Sequence, residues 1–340
     1  MTKKYNVAVV GATGAVGQSL LEILEQREFP VAELFPLASS RSAGETIRFN
    51  KKSYIVQDLE HFDFSQVDIG LFSAGGAISK IYAPKAADAG CVVIDNTSEF
   101  RYEDNIPLVV PEVNEGAIAQ YKETNIIANP NCSTIQMLVA LKPIYDRYGI
   151  ELINVATYQS VSGSGKAGID ELAGQTAKLL NGLDAEANVY SQQIAFNVIP
   201  HIDVLQDNGF TKEEMKMVWE TQKIFGDDSI KVNPTAVRVP VFYGHSEAVH
   251  IITKTDFEVH DVINEFKKAE GVEVVHEDDP LDYASAVNHA TGEDPVFVSR
   301  IRRGLDCDRS LNLWVVSDNI RKGAALNSVQ IAEKLIESYL

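Results

Sequence analysis

The stretch that most restricts the fold is Gly11-Ala12-Thr13-Gly14-Ala15-Val16-Gly17. It follows a short apolar run, Val7-Ala8-Val9-Val10, and precedes a helical pattern of Leu20, Leu21, Ile23 and Leu24. Glycines spaced GxxGxxG between a strand and a helix permit a tight turn. They also let backbone N–H groups at the helix start approach a phosphate. A first strand that runs straight into a helix opens a βαβ unit, and such units build parallel sheets. The pattern continues with strands predicted at 33–38, 67–72 and 91–96 and a helix at 82–89. This alternation, sustained through residue 131, predicts a doubly wound α/β domain with its ligand at the carboxyl ends of the strands.

Dinucleotide folds that prefer NAD commonly end the second strand with an acidic residue for the ribose 2′-hydroxyl. Here that end reads Ser39-Ser40-Arg41-Ser42-Ala43-Gly44. Arg41 among hydroxyls suits a 2′-phosphate, so NADP is the expected cofactor. Gly11 and Gly14 form the turn. The small residues Ser73, Ala74, Gly75 and Gly76 after the 67–72 strand let a flat ring lie against backbone.

The second informative stretch is Asn129-Pro130-Asn131-Cys132-Ser133-Thr134-Ile135-Gln136. An apolar run precedes it and a helical pattern follows, which places Cys132 at a helix start. There the helix dipole and unpaired N–H groups favour a thiolate. A buried structural cysteine is the competing reading. Cys91 sits inside an apolar strand, and Cys307 is the third and last cysteine. An odd count without CxxC suggests no disulfide framework and fits a reducing, cytoplasmic setting.

After residue 131 the strand–helix alternation stops. A longer alternating strand at 153–161 runs into a second glycine loop, Ser162-Gly163-Ser164-Gly165, and later strands are expected at 237–241, 248–253 and 311–316. This predicts an α+β domain with a mixed or antiparallel sheet. Thr211 followed by Glu214 marks a helix start, and Gly226 marks its stop. On that helix Lys216, Glu220 and Lys223 share one face. Arg238 and His245 are seven residues apart, which puts them on opposite faces of an unbroken strand; Pro240 and Gly244 argue that the strand is broken. A final helix at 325–340 is expected to return to the first domain. The domains are therefore expected at 1–131 with about 320–340, and at 132–319.

The chain has 340 residues and a formal charge of −18. That balance opposes general binding to nucleic acid or anionic membranes, and any anionic substrate needs a local basic cluster. No apolar run is long enough for a signal sequence or a membrane span. The histidines form no metal-ligand cluster.

Several ordered segments resemble the aspartate-semialdehyde dehydrogenase family, in the form found in Gram-positive bacteria. They are GATGAVGQ (11–18), LFSAGG (71–76), VIDNTSEFR (93–101), NPNCSTIQ (129–136), YQSVSGSG (158–165), ETQKI (220–224), VRVPVFYGHSE (237–247) and LWVVSDNIRKGAALNS (313–328). The resemblance implies a Rossmann-like NADP-binding domain joined to a catalytic and dimerisation domain. It also implies reversible, NADP-dependent, phosphorylating oxidation of L-aspartate 4-semialdehyde to L-aspartyl 4-phosphate, the second step of the pathway to lysine, threonine, methionine and isoleucine. Cys132 would be the thioester-forming nucleophile, His245 the acid–base residue and Gln159 the group orienting the acyl-enzyme. Asn131 would help hold the oxyanion. Arg238 would grip the substrate carboxylate and Glu220 its amino group. Arg101, with Lys223 or Lys216, would hold phosphate. Thr13, Ala15, Val16, Arg41, Ser42, Ser162, Gly163 and Asn319 match cofactor positions. A homodimer or a tetramer of dimers is implied. N-acetyl-glutamyl-phosphate reductase and glyceraldehyde-3-phosphate dehydrogenase share the chemistry, but their cysteine contexts differ. A non-catalytic NADP-sensing regulator is the rival from another class, and it would not need Cys132 or His245.

Overall fold

A computed structural model describes residues 3–275 and 281–340. The chain forms two compact units, residues 1–131 with 324–340, and residues 132–323.

In the first unit, β1 (Tyr5–Val10) leads through the glycine turn into α1 (Ala15–Gln26), followed by β2 (Val31–Ala38). A hairpin of β3 (Thr46–Phe49) and β4 (Lys52–Ile55) precedes β5 (Gln57–Asp58). Then come β6 (Ile69–Phe72), α2 (Gly76–Asp88), β7 (Val92–Asp95), α3 (Pro111–Asn114) and β8 (Ile126–Ala128). The main sheet runs β5-β2-β1-β6-β7-β8, and the pairings are parallel throughout. The chain winds one way from β1 to β2 and the other way from β6 onward. The break in direction falls between β1 and β6, where a doubly wound sheet opens a crevice at its carboxyl edge. Strands covered on both faces are almost continuously apolar, as Val7 to Val10 and Ile69 to Phe72 are. The core beneath α1 gathers Leu20, Ile23 and Leu24 with Val329, Ala332 and Leu335 of the last helix.

In the second unit, α4 (Cys132–Tyr148) and β9 (Ile150–Gln159) precede α5 (Gly165–Leu180), α6 (Lys212–Phe225), β10 (Lys231–Arg238) and β11 (His245–Thr253). They are followed by α7 (Val259–Lys268), β12 (Val272–Val274), β13 (Val296–Arg303) and β14 (Ser310–Ser317). α8 (Leu326–Ser338) belongs to the first unit. The second sheet is mixed, in the order β10-β9-β11-β14-β13-β12. α4 packs across β9, β11 and β14. One sheet face is thereby buried, including Ile153, Val155, Val249 and Ile251. The alternate residues Ala156, Tyr158, Ala248, His250 and Trp314 remain partly exposed.

The strand expected at 237–241 lies earlier, at Lys231–Arg238. Pro240 cannot donate to a ladder, and the chain leaves the sheet after Arg238. Among the described residues, no helix is long and apolar enough to cross a membrane.

Candidate active site

At the carboxyl edge of the first sheet, a cleft of about 420 Å³ is lined by Gly11, Thr13, Gly14, Ser39, Arg41 and Ser42, with Ser73 on its far side. Gly17 carries the packing of the turn: a Cβ there would lie 2.1 Å from the Gly11 carbonyl oxygen. Gly14 caps the start of α1 without a side-chain hydrogen bond, and the first turn has no acidic residue. Its positive end therefore faces the cleft uncompensated, as a bound pyrophosphate requires. These residues fit a dinucleotide. Of the nine first-unit positions expected to touch the cofactor, Gly11, Thr13, Gly14, Arg41, Ser42 and Ser73 line the cleft; Ala15, Val16 and Gly75 stand in or before the first turns of α1 and α2 and do not line it. The sequence reading missed Asp58 and Glu60, which also line it. Asp58 ends β5, the neighbour of β2, and its carboxylate accepts the Glu60 N–H at 3.1 Å.

The three cysteines occupy different environments: Cys91 is buried, Cys132 half-buried and Cys307 exposed. Burial, reinforced by Asp68, pushes the Cys91 thiol far up, which keeps it protonated and inert. Cys132 is the first residue of α4. Gly323 packs against it, because a Cβ at Gly323 would fall 2.8 Å from the Cys132 Cβ. No larger residue fits behind the thiol at that spacing.

Arg238 ends β10 opposite Gln159, the last residue of β9, and His245 begins β11 on the other side of β9. The three side chains therefore converge at one end of the sheet, and all are essentially buried. The run is broken between them, as Pro240 and Gly244 led us to expect: Arg238 ends one strand and His245 begins another, so the parity of a single strand does not apply. The Ser160 N–H donates to His245 Nδ1 at 3.1 Å. A backbone N–H can only donate, so the neutral ring carries its proton on Nε2. Gln159 Nε2 lies 3.4 Å from that atom. Burial first, and then the Arg238 cation, push the His245 pKa down to about 3, against Glu213 and the Gly244 carbonyl. The ring is accordingly neutral at physiological pH, rather than titrating near neutrality as an ordinary histidine does.

Arg238 Nη1 donates to the Ser160 carbonyl at 2.7 Å. Its Nε is buried and has no hydrogen-bond partner among the described residues. The guanidinium borders a cavity of about 210 Å³ shared with Ser164, Tyr190, His201 and Asp203. A Cβ on Gly163 would come within 2.8 Å of Arg238 Nη1 and 3.4 Å of the His245 ring. Gly163 is therefore the gap that lets these two side chains reach the same space. Asn319 Oδ1 accepts from the Ser160 and Ser162 hydroxyls and the Gly244 N–H, which ties the loop ends together.

α6 is fixed at its start by a reciprocal capping box between Thr211 and Glu214. Glu220 on it is fully buried. Lys216, one of the two lysines expected to hold phosphate, has its ammonium between Asp203 at 2.8 Å and Glu213 at 2.9 Å. Burial opposes the charge, but the two carboxylates outweigh it and raise the Lys216 pKa. Two carboxylates already neutralise that ammonium, which weakens it as a ligand for phosphate. Arg101, buried in the first unit, donates to the Thr97 and Asn96 carbonyls of its own loop at 3.0 and 2.9 Å. Asn131 is buried at the end of the same unit. Its neighbour Asn129 accepts from Asn327 of α8 at 2.7 Å, which anchors the segment just before Cys132.

Residues 6–121 match the family model described as semialdehyde dehydrogenase, NAD binding domain, and residues 141–322 match the semialdehyde dehydrogenase dimerisation domain. An aspartate-semialdehyde dehydrogenase of Shewanella violacea is 64% identical over the whole of both chains. Aspartate-semialdehyde dehydrogenase 2 of Vibrio cholerae is 63% identical, again over the full length of both. The crystal structure of aspartate semialdehyde dehydrogenase II from Vibrio cholerae, complexed with ASA, superposes with a TM-score of 0.98 and covers 100% of each chain at 63% identity. These sources are Gram-negative, so the expected Gram-positive form is not supported. The motifs that carry the resemblance are site segments, and they do not separate the branches of the family.

Proposed function

This chain belongs to the aspartate-semialdehyde dehydrogenase family, and from that premise we propose that it interconverts L-aspartyl 4-phosphate and L-aspartate 4-semialdehyde through a thioester on Cys132. It would serve the second step of the aspartate pathway to lysine, threonine, methionine and isoleucine. The observation that carries the reading is the Arg238 guanidinium. A buried cation that borders a cavity, and whose Nε–H has no hydrogen-bond partner among the described residues, calls for a carboxylate ligand.

In the biosynthetic direction the Cys132 sulfur attacks the acyl carbon. A C–S bond forms as the C–O bond to phosphate breaks, and phosphate leaves with the electron pair. Cysteine suits both halves of the cycle, because the thiolate is a strong nucleophile and later a good leaving group. When bound, the reduced cofactor supplies a hydride to the thioester carbon. The resulting oxyanion collapses, the C–S bond breaks and the thiolate returns. The Asn131 amide would donate to the developing oxyanion. His245 would hold its proton at Nε2, and Gln159 would orient the acyl group. Glu220 would take the substrate amino group, and Arg101 and Lys223 the phosphate.

NADP is favoured over NAD by Arg41 with Ser39 and Ser42 in the cleft. Ser162, Gly163 and Asn319 of the second unit are the remaining proposed cofactor contacts. The first unit would thus bind the cofactor, and the second would carry catalysis and dimerisation. The half-exposed sheet face around Tyr158, His250 and Trp314 supports pairing with a second copy, with a tetramer of dimers as the larger assembly. The odd cysteine count without a CxxC motif favours a reducing cytoplasm.

The test is NADP reduction by purified protein given aspartate semialdehyde and phosphate, with N-acetyl-glutamate semialdehyde as the control substrate. Cys132→Ala should abolish turnover while Cys91→Ser and Cys307→Ser retain it. No activity on aspartate semialdehyde overturns the assignment, and an active Cys132→Ala overturns the thioester.

A further inference from the structure

Glu213 has no role in the reaction as described so far, yet it is nearly fully buried, at 5% exposure. The helix start does not need it, because the neighbouring Glu214 completes the capping box with Thr211. Glu213 turns instead toward the end of the second sheet. Its Oε1 accepts from Gln159 Nε2 at 3.1 Å and its Oε2 meets Lys216 Nζ at 2.9 Å. Lys216 is held in turn by Asp203 at 2.8 Å. At the other end of the Gln159 amide, Oε1 accepts from the Thr157 hydroxyl at 3.0 Å.

The two ends of an amide are nearly the same shape and opposite in polarity, so its orientation is set by its partners. An ionised carboxylate can only accept, so only the NH₂ end of Gln159 can face Glu213. A flipped Gln159 would set its carbonyl against a carboxylate in a buried site, where repulsion is strong. The Lys216 ammonium binds the other oxygen of Glu213, and Asp203 fixes Lys216. One N–H of Gln159 is thereby spent on Glu213; the other is left for the acyl group, because His245 Nε2, 3.4 Å away, carries a hydrogen itself and cannot accept it.

We propose that Glu213, braced by Lys216 and Asp203, is a positioning residue that locks the Gln159 amide with its N–H edge toward the acyl group. The chain Asp203–Lys216–Glu213–Gln159 thus carries order from a loop and a helix into the site. It also explains why a lysine that looked like a phosphate ligand is surrounded by carboxylates. The inference rests on the dehydrogenase reading above, because it requires an acyl group beside Gln159.

The experiment is a double-mutant cycle. Glu213→Ala and Glu213→Gln are each made in the wild-type enzyme and in a Gln159→Ala background, and kcat and KM are measured for aspartate semialdehyde and NADP. Misorientation of one positioning group costs on the order of 10–100-fold. Glu213→Ala should therefore lower kcat by about that factor, with the KM for NADP unchanged. Glu213→Gln should lose roughly 3–10-fold, since its carbonyl still accepts from Gln159 but no charge forbids the flip. In the Gln159→Ala background both losses should shrink to under about threefold, because effects exerted through one residue are not additive. Equal fold losses in the two backgrounds, for whichever variant folds, overturn the inference. An inactive wild-type enzyme would instead overturn the dehydrogenase reading, so the two failures are distinguishable.

Discussion

The buried neutral state of His245 makes stability depend on pH with a predictable sign. Unfolded, the ring titrates near 6.5, whereas folded it is pushed down to about 3. Below pH 6.5 the unfolded chain binds a proton that the folded chain refuses. The contribution is therefore fully present above the unfolded value and is lost as pH falls from 6.5 toward 3. Across that whole window it amounts to about 5 kcal/mol, at about 1.4 kcal/mol per pH unit. Between pH 7.5 and 5.0 the loss is about 2 kcal/mol. Glu247, two residues along β11, has the opposite trend. Burial pushes its carboxyl well above the ordinary value against a weaker pull from Gln136, so its contribution falls as pH rises. The comparison with His245→Gln cancels that background. Both tryptophans, Trp219 and Trp314, lie in the second unit, so their fluorescence follows the unfolding of the unit that holds His245. Urea titrations should show the wild-type midpoint falling by roughly 0.7–1 M more than that of His245→Gln between pH 7.5 and 5.0. Equal falls in the two proteins would refute the buried, neutral ring. The same reasoning removes His245 from the acidic limb of kcat/KM.

Two further predictions follow from close contacts and charge. Gly323→Ala places a methyl 2.8 Å from the Cys132 Cβ, so the thiol must shift. We expect kcat to fall about 100-fold and alkylation of Cys132 in a Cys307→Ser background to change in rate; wild-type values for both would show that Gly323 does not position the thiol. Arg41→Ala should raise the KM for NADP by at least about tenfold, the loss of one charge-assisted contact, and leave the KM for NAD unchanged. An equal effect on both cofactors would show that Arg41 holds a part the two share rather than the 2′-phosphate.

What was legible in the sequence was local. The glycines at 11, 14 and 17 dictate a turn between strand and helix, and α1 starts at Ala15 as that turn requires. The helix start at Cys132 and the capping box at Thr211 were readable because both depend on dihedral preference and on partners within a few residues. Hydrophobic runs up to residue 128 revealed the parallel sheet, because strands buried on both faces must be apolar throughout. The convergence of Arg238, Gln159 and His245 was not legible. It depends on β10 and β11 flanking β9 on opposite sides, one parallel and one antiparallel, and strand order is settled by long-range burial that no local pattern encodes. Lys216 and Lys223 share a helix face and so looked alike. The loop that brings Asp203 to Lys216, and the sheet end that brings Gln159 to Glu213, lie outside that helix in sequence and leave no trace in its pattern. Periodicity and backbone preference therefore set the elements, while the electrostatics of the site were decided by which distant segments pack together.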